Sequence, residues 1–163
     1  LRFTSATQHN IVITEALDQG MVSLYNCRSD NAGGDGVHVF ESDGFFVLHL
    51  LRSEFDSNTV GVNGSSDFRS GAAYCISSSI HDNTSFGCLI GESESHPHFV
   101  GNIVYDNGSH GVKLVESNGP LISNNVFFNN GGNGIDMTRS ISGIILINNI
   151  TNSRNYLAIF TNY

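Results

Sequence analysis

The chain has 163 residues, 39% of them hydrophobic, which is enough for one domain with its own core and excludes wholesale disorder. Seven basic residues against fifteen acidic ones leave a formal charge of -8, and Lys113 is the only lysine; that balance argues against nucleic acid or an anionic membrane as partner. Cys27, Cys75 and Cys88 match neither a disulfide scaffold nor a Cys-x-x-Cys metal knuckle, and no apolar run approaches the roughly 18 to 20 residues of a membrane span.

Eighteen glycines and nineteen asparagines stand against two prolines. Both residue types favour tight turns and left-handed backbone, so the chain is expected to turn often. Taken in chain order, the segment HNIVITEALDQGMVSLY supplies two apolar strands of a first coil that lacks an asparagine turn. A short polar unit then recurs: NCRSDN at 26–31, SEFDSN at 53–58, SSIHDN at 78–83, NIVYDN at 102–107 and NVFFNN at 125–130, with a weaker NITNS at 149–153. Aligning the last asparagine of each unit gives the column Asn31, Asn58, Asn83, Asn107 and Asn130, with spacings of 27, 25, 24 and 23 residues.

A glycine follows each unit and opens a short strand: GVHVF at Gly36, GVNG at Gly61, GCLIG at Gly87, GVKLV at Gly111 and GIDMT at Gly134. These alternate. Val37 and Val39, Cys88 and Ile90, Val112 and Leu114, and Ile135 and Met137 face one way, while His38, Leu89, Lys113 and Asp136 face the other. A third apolar stretch closes most coils, as in FFVLHLL, HFVG, LIS and GIILI. Three strands per repeat predict an all-β, right-handed parallel β-helix of about six coils of 23–27 residues, filling residues 1–163 as one domain. Coils about 4.8 Å apart would stack the aliphatics into one core and let each turn asparagine bond its neighbour. The period stretches at SSDFRSGAA (65–73), and again at GESESHPHF (91–99); this pair of loops is the first choice for a functional patch.

The units NIVYDNGSHGVKL (102–114) and NNVFFNNGGNGIDM (124–137) resemble the β-helix repeats of the pectin-lyase-like superfamily, over residues 26–155. The resemblance implies a solenoid that acts on or holds a polysaccharide, in an extracellular or cell-surface setting. It carries over no catalytic residue, because the Asp-Pro-His-Asp and paired-aspartate motifs of some members are missing. Whether the chain is an enzyme stays open at this point.

Lys113 and Asp136 share an outward position on adjacent coils, as do Glu116 and Arg139. They read either as a uronate-binding face, with the charge neutralisation and base that β-elimination or epimerisation needs, or as plain surface ion pairs. Tyr105, in a column with Asp56, His81 and Phe128, offers an aromatic strip for a sugar ring or for a covering loop. Glu92, Glu94, His96 and His98 form the best metal-like grouping; Asp30, Asp82 and Asp106 read as turn caps that accept backbone N–H bonds, with calcium between stacked aspartates as the alternative. The sequons at Asn63, Asn83, Asn107 and Asn149 read as by-products of composition. The alternative function is a structural or adhesive solenoid of a filament, surface layer or tail fibre. Neither LRFTSATQHNIVI nor the apolar finish at Leu157, Ile159 and Phe160 reads as a cap, so a longer solenoid or end-to-end stacking through Tyr156–Tyr163 is expected.

Overall fold

The computed structural model describes residues 1–14, 20–40, 46–64, 72–91, 96–139 and 143–152, and the backbone of 157–160. Among these, twenty strands form three parallel sheets of seven, seven and six strands, with no helix. The first sheet runs β1 (Arg2–Thr4), β4 (Arg28–Asp30), β7 (Glu54–Asp56), β10 (Ser79–His81), β13 (Ile103–Tyr105), β16 (Val126–Phe128) and β19 (Ile150–Thr151). The second runs β2 (Ile11–Thr14), β5 (Val37–Phe40), β8 (Val62–Gly64), β11 (Cys88–Gly91), β14 (Val112–Val115), β17 (Ile135–Thr138) and β20 (Leu157–Phe160). The third is β3 (Gly20–Tyr25), β6 (Phe46–Leu51), β9 (Ala72–Ile76), β12 (His98–Val100), β15 (Leu121–Ser123) and β18 (Ile145–Ile147). Every strand pairs with its counterpart one coil away, so each sheet edge continues the solenoid.

Alternation decides which side chains enter the core. Val37, Val62, Cys88, Val112 and Ile135 lie in one pairing column and are all buried. Phe55, Ile80, Val104 and Phe127 form a second such column, and Leu50, Cys75, Phe99 and Ile122 a third. No single coil could bury these faces, since each contributes only one layer. Burial pushes the Cys75 thiol up to about 12 and also raises that of Cys88.

The turns hold the coils together through side-chain amides. Asn83 Nδ2 donates to Asn107 Oδ1 at 2.8 Å, and Asn107 Nδ2 donates to Asn130 Oδ1 at 2.8 Å. Asn58 joins the same column, its backbone N–H donating to Asn83 Oδ1 at 3.1 Å. Each glycine after the turn leaves room for this arrangement: a Cβ on Gly61 would sit 2.5 Å from the Gly87 carbonyl oxygen and 3.0 Å from Asn83 Nδ2.

Asn31 does not belong to that column. The strand pairing aligns Asp30 with Asp56, which places Ala32, not Asn31, beside Asn58; the Ala32 N–H donates to Asn58 Oδ1 at 3.0 Å. The repeat unit of that coil is therefore CRSDNA at 27–32, one residue later than an alignment on its final asparagine suggests. Asn31 instead takes the left-handed position (φ 54°) shared with Ser57, Asp82, Asp106 and Asn129, and it is exposed. Asn and Asp tolerate this conformation best and fill four of these five positions, with Ser57 in the fifth. The same shift takes Asp30 out of line with Asp82 and Asp106. In the first coil Asn10 supplies the missing amide, accepting from the Ala6 N–H at 3.2 Å and donating to the Asp30 carbonyl at 2.8 Å.

A second asparagine column was not read from the repeats. Between the third and first sheets the chain turns within two residues, the first left-handed (Asn26, Arg52, Ser77, Gly101, Asn124, Asn148). Asn102 Nδ2 then donates to Asn125 Oδ1 at 3.0 Å, and Asn125 Nδ2 to Asn149 Oδ1 at 2.9 Å. Ser78 and Ser53 continue the column toward the first coil, where the Ser53 N–H donates to Ser78 Oγ at 3.1 Å. By contrast, the connections leaving the second sheet vary most in length and contain most of the undescribed residues (15–19, 41–45, 65–71, 92–95 and 140–142).

Candidate functional site

Two outward faces carry the polar chemistry. On the second sheet, Val12, His38, Asn63, Leu89, Lys113 and Asp136 form one outward column. Lys113 Nζ lies 3.7 Å from Asp136 Oδ1, a loose pair. Asp136 is itself well held, accepting from Asn133 Nδ2 at 3.0 Å and Thr138 Oγ1 at 2.9 Å. Arg139 Nη1 donates to Glu116 Oε1 at 2.8 Å, and both side chains are exposed, so this contact is an ordinary surface pair of well under ~1 kcal/mol.

His110 completes that face, and sequence reading missed it. Its Nδ1 accepts the Asn133 backbone N–H at 2.8 Å, so the neutral ring carries its proton on Nε2, 3.7 Å from Asp136 Oδ2. Burial lowers its pKa, opposed by Asp136 and assisted by Lys113. With one nitrogen bonded to backbone and the other protonated, the ring is a hydrogen-bond donor, not a proton acceptor. Three coils earlier His9, Asp35 and His38 meet: His38 Nδ1 bonds Asp35 Oδ2, and Asn63 Nδ2 donates to the same oxygen at 2.9 Å.

The first sheet presents a charged half and an aromatic half. Arg2 Nε donates to Asp30 Oδ2 at 2.7 Å, and this bond holds the Asp30 carboxyl well below the usual range, against the opposing effect of burial. Arg28 spans the next coil, with Nη2 2.9 Å from Asp56 Oδ2 and Nη1 3.5 Å from Glu54 Oε2. His81 stands between Glu54 (Nε2 to Oε1, 3.1 Å) and Asp82 (Nδ1 to Oδ2, 2.7 Å). Beyond it, His81, Tyr105 and Phe128 stack almost parallel, at 4.5 and 4.7 Å between centroids. Because the rings cover each other's faces, Tyr105 shows solvent its edge and hydroxyl. A groove of about 430 Å³ runs beside the charged half, lined by Asn26, Arg28, Arg52, Ser53, Glu54 and Ser79 among others.

The structure thus keeps Lys113, Asp136, Glu116 and Arg139 at one end of the second sheet and Tyr105 on the first. Glu92 and Glu94 lie outside the described residues. His96 donates from Nδ1 to the Asn118 carbonyl at 2.9 Å, while His98 sits on the third sheet with its ring edge against Tyr74. Two clusters among the described residues have the geometry to hold a divalent cation, His9–Asp35–His38 and Glu54–Asp56–His81, with ligand atoms within 4.8 Å of one another. The repeat alignment puts Asp56 and His81 in one column, but His81 lies 25 and 27 residues from Asp56 and Glu54, and only the strand pairing brings all three together as a cluster.

No helix among the described residues is long and apolar enough to cross a membrane. Comparison with curated proteins and with solved structures returned no match. The family model described as "Right handed beta helix region" matches residues 10–163. Three parallel sheets, turn asparagines bonded from coil to coil and this match agree: the chain belongs to the right-handed β-helix family, with the solenoid fold of pectin-lyase-like proteins.

Proposed function

We propose that this chain holds an acidic polysaccharide along the outer face of the second sheet, with Lys113 as its charge contact. The observation that carries the reading is the state of Lys113. Its partner Asp136 is satisfied by Asn133 and Thr138, and the ammonium lies 3.7 Å away and part-exposed, so a uronate carboxylate can take it at little cost. β-Elimination or epimerisation is a finer version of the same reading. His110 is poorly suited as its base, which leaves Asp136 for that role.

Replacing Lys113 and Arg139 together by alanine is expected to reduce retention on an immobilised polyuronate, in the presence of calcium as well as without it, with far-UV dichroism unchanged. Release of unsaturated ends, followed by ultraviolet absorbance, tests the elimination step. Unaltered retention removes this face as the binding site.

An assembly solenoid is the second reading, supported by apolar side chains exposed on the outermost coils: Leu1, Val12 and Met21 at one end, Ile145, Ile147 and Ile150 at the other. Light scattering across a concentration series tests it, and a monomer at high concentration that binds no apolar dye excludes it.

A further inference from the structure

We propose that Glu54, Asp56 and His81 bind one divalent transition-metal ion of the zinc type, linking two neighbouring coils on the first sheet. Glu54 and Asp56 are the outward residues of β7, and His81 pairs directly with Asp56 from β10. One ligand atom from each residue lies within 4.8 Å of the other two, a span that small side-chain adjustments close onto one ion.

Two features point to a cation. Asp56 is a buried carboxylate, its side chain 6% exposed, and its Oδ1 has no hydrogen-bond partner. Such an orphaned anionic oxygen costs free energy unless something positive meets it. Arg28 answers only the other oxygen, Oδ2, at 2.9 Å, while its Nε lies 2.7 Å from Asp30 Oδ2. The second feature is the setting of His81. Its Nδ1 faces Asp82 Oδ2 at 2.7 Å and its Nε2 faces Glu54 Oε1 at 3.1 Å, so an ion that displaces the Nε2 proton would find the ring already held from behind by Asp82. A carboxylate behind a ligating imidazole is also the usual support that fixes its tautomer.

Charge and donor type narrow the ion. Asp30, Glu54, Asp56 and Asp82 outnumber Arg2 and Arg28 on this face, so a divalent charge neutralises it. An imidazole with two carboxylates suits zinc, cobalt or nickel, whereas calcium demands more oxygens and no nitrogen. Three protein ligands leave a tetrahedral ion one open position, and Glu54 also lines the 430 Å³ groove, so that position is reachable by water. The site is on a different sheet from Lys113 and is independent of the polysaccharide reading.

Titration calorimetry of the whole chain with zinc, and the visible spectrum with cobalt, test the proposal. The expected result includes one ion per chain that is lost or weakened at least ~10-fold in His81→Phe and in Asp56→Asn, and retained in His38→Phe, which disables the other histidine cluster. Phenylalanine keeps the ring stacked on Tyr105, and asparagine keeps the shape of Asp56. Equimolar calcium should not compete. Should either variant fold poorly, cobalt added to the unaltered chain must shift the His81 and Tyr105 proton resonances. Absence of zinc binding by the folded chain, binding unchanged in both variants, equal competition by calcium, or unmoved His81 resonances each overturns the assignment.

Discussion

Replacing Asn107 by alanine probes the bonds that stitch coil to coil. The side chain is 2% exposed and makes five hydrogen bonds. Its Oδ1 accepts from the Asn83 backbone N–H at 3.3 Å and from Asn83 Nδ2 at 2.8 Å; its Nδ2 donates to the carbonyls of Ile80 and Tyr105 and to Asn130 Oδ1. In Asn107→Ala the Asn83 N–H loses its acceptor inside the turn, where water does not reach, while Asn83 Nδ2 keeps the Phe55 carbonyl at 3.1 Å. One fully orphaned buried donor costs about 1–3 kcal/mol, and the weakened bonds around it bring the loss toward the upper end of that range. That is a large share of a typical domain stability of roughly 5–15 kcal/mol. Urea unfolding followed by far-UV dichroism measures it, with Asn31→Gly as the contrast. Asn31 is exposed and left-handed, so glycine there should change stability by only a few tenths of a kcal/mol. Equal losses at the two positions, or a loss below a few tenths at Asn107, refute the register.

Two further outcomes follow from burial. His9, His98 and His110 all have pKa values lowered chiefly by desolvation, so the unfolded chain takes up protons first and stability falls as pH drops through the ordinary histidine range, about 6.5. Urea midpoints should therefore decrease from pH 8 to pH 5.5, and a rise over that interval contradicts the assignment. Among the three free thiols, Cys27 is half-buried while Cys75 and Cys88 are enclosed, so one should react with a thiol reagent in the native chain and all three after unfolding. Reaction of more than one native thiol would mean that the core opens.

The parallel β-helix was legible in the residues because its determinants are local and repeated. Glycine before each short alternating strand, and Asn or Asp at each tight turn, say the same thing five times over. Alternation also named the core, since Val112 and Leu114 must face opposite to Lys113 in any strand. Register was less secure. NCRSDN and CRSDNA differ by one residue in a segment with no strong alternation of its own, and strand pairing alone settled that Asp30 meets Asp56. The column of Asn102, Asn125 and Asn149 escaped notice because Ser53 and Ser78 fill its earlier positions. The polar sites depended most on tertiary structure. Glu54 and His81 are 27 residues apart, and nothing in either segment marks a ligand. A solenoid converts that distance in sequence into one interstrand spacing, so its outer face is assembled by pairing between coils, and only the folded chain decides which charges meet.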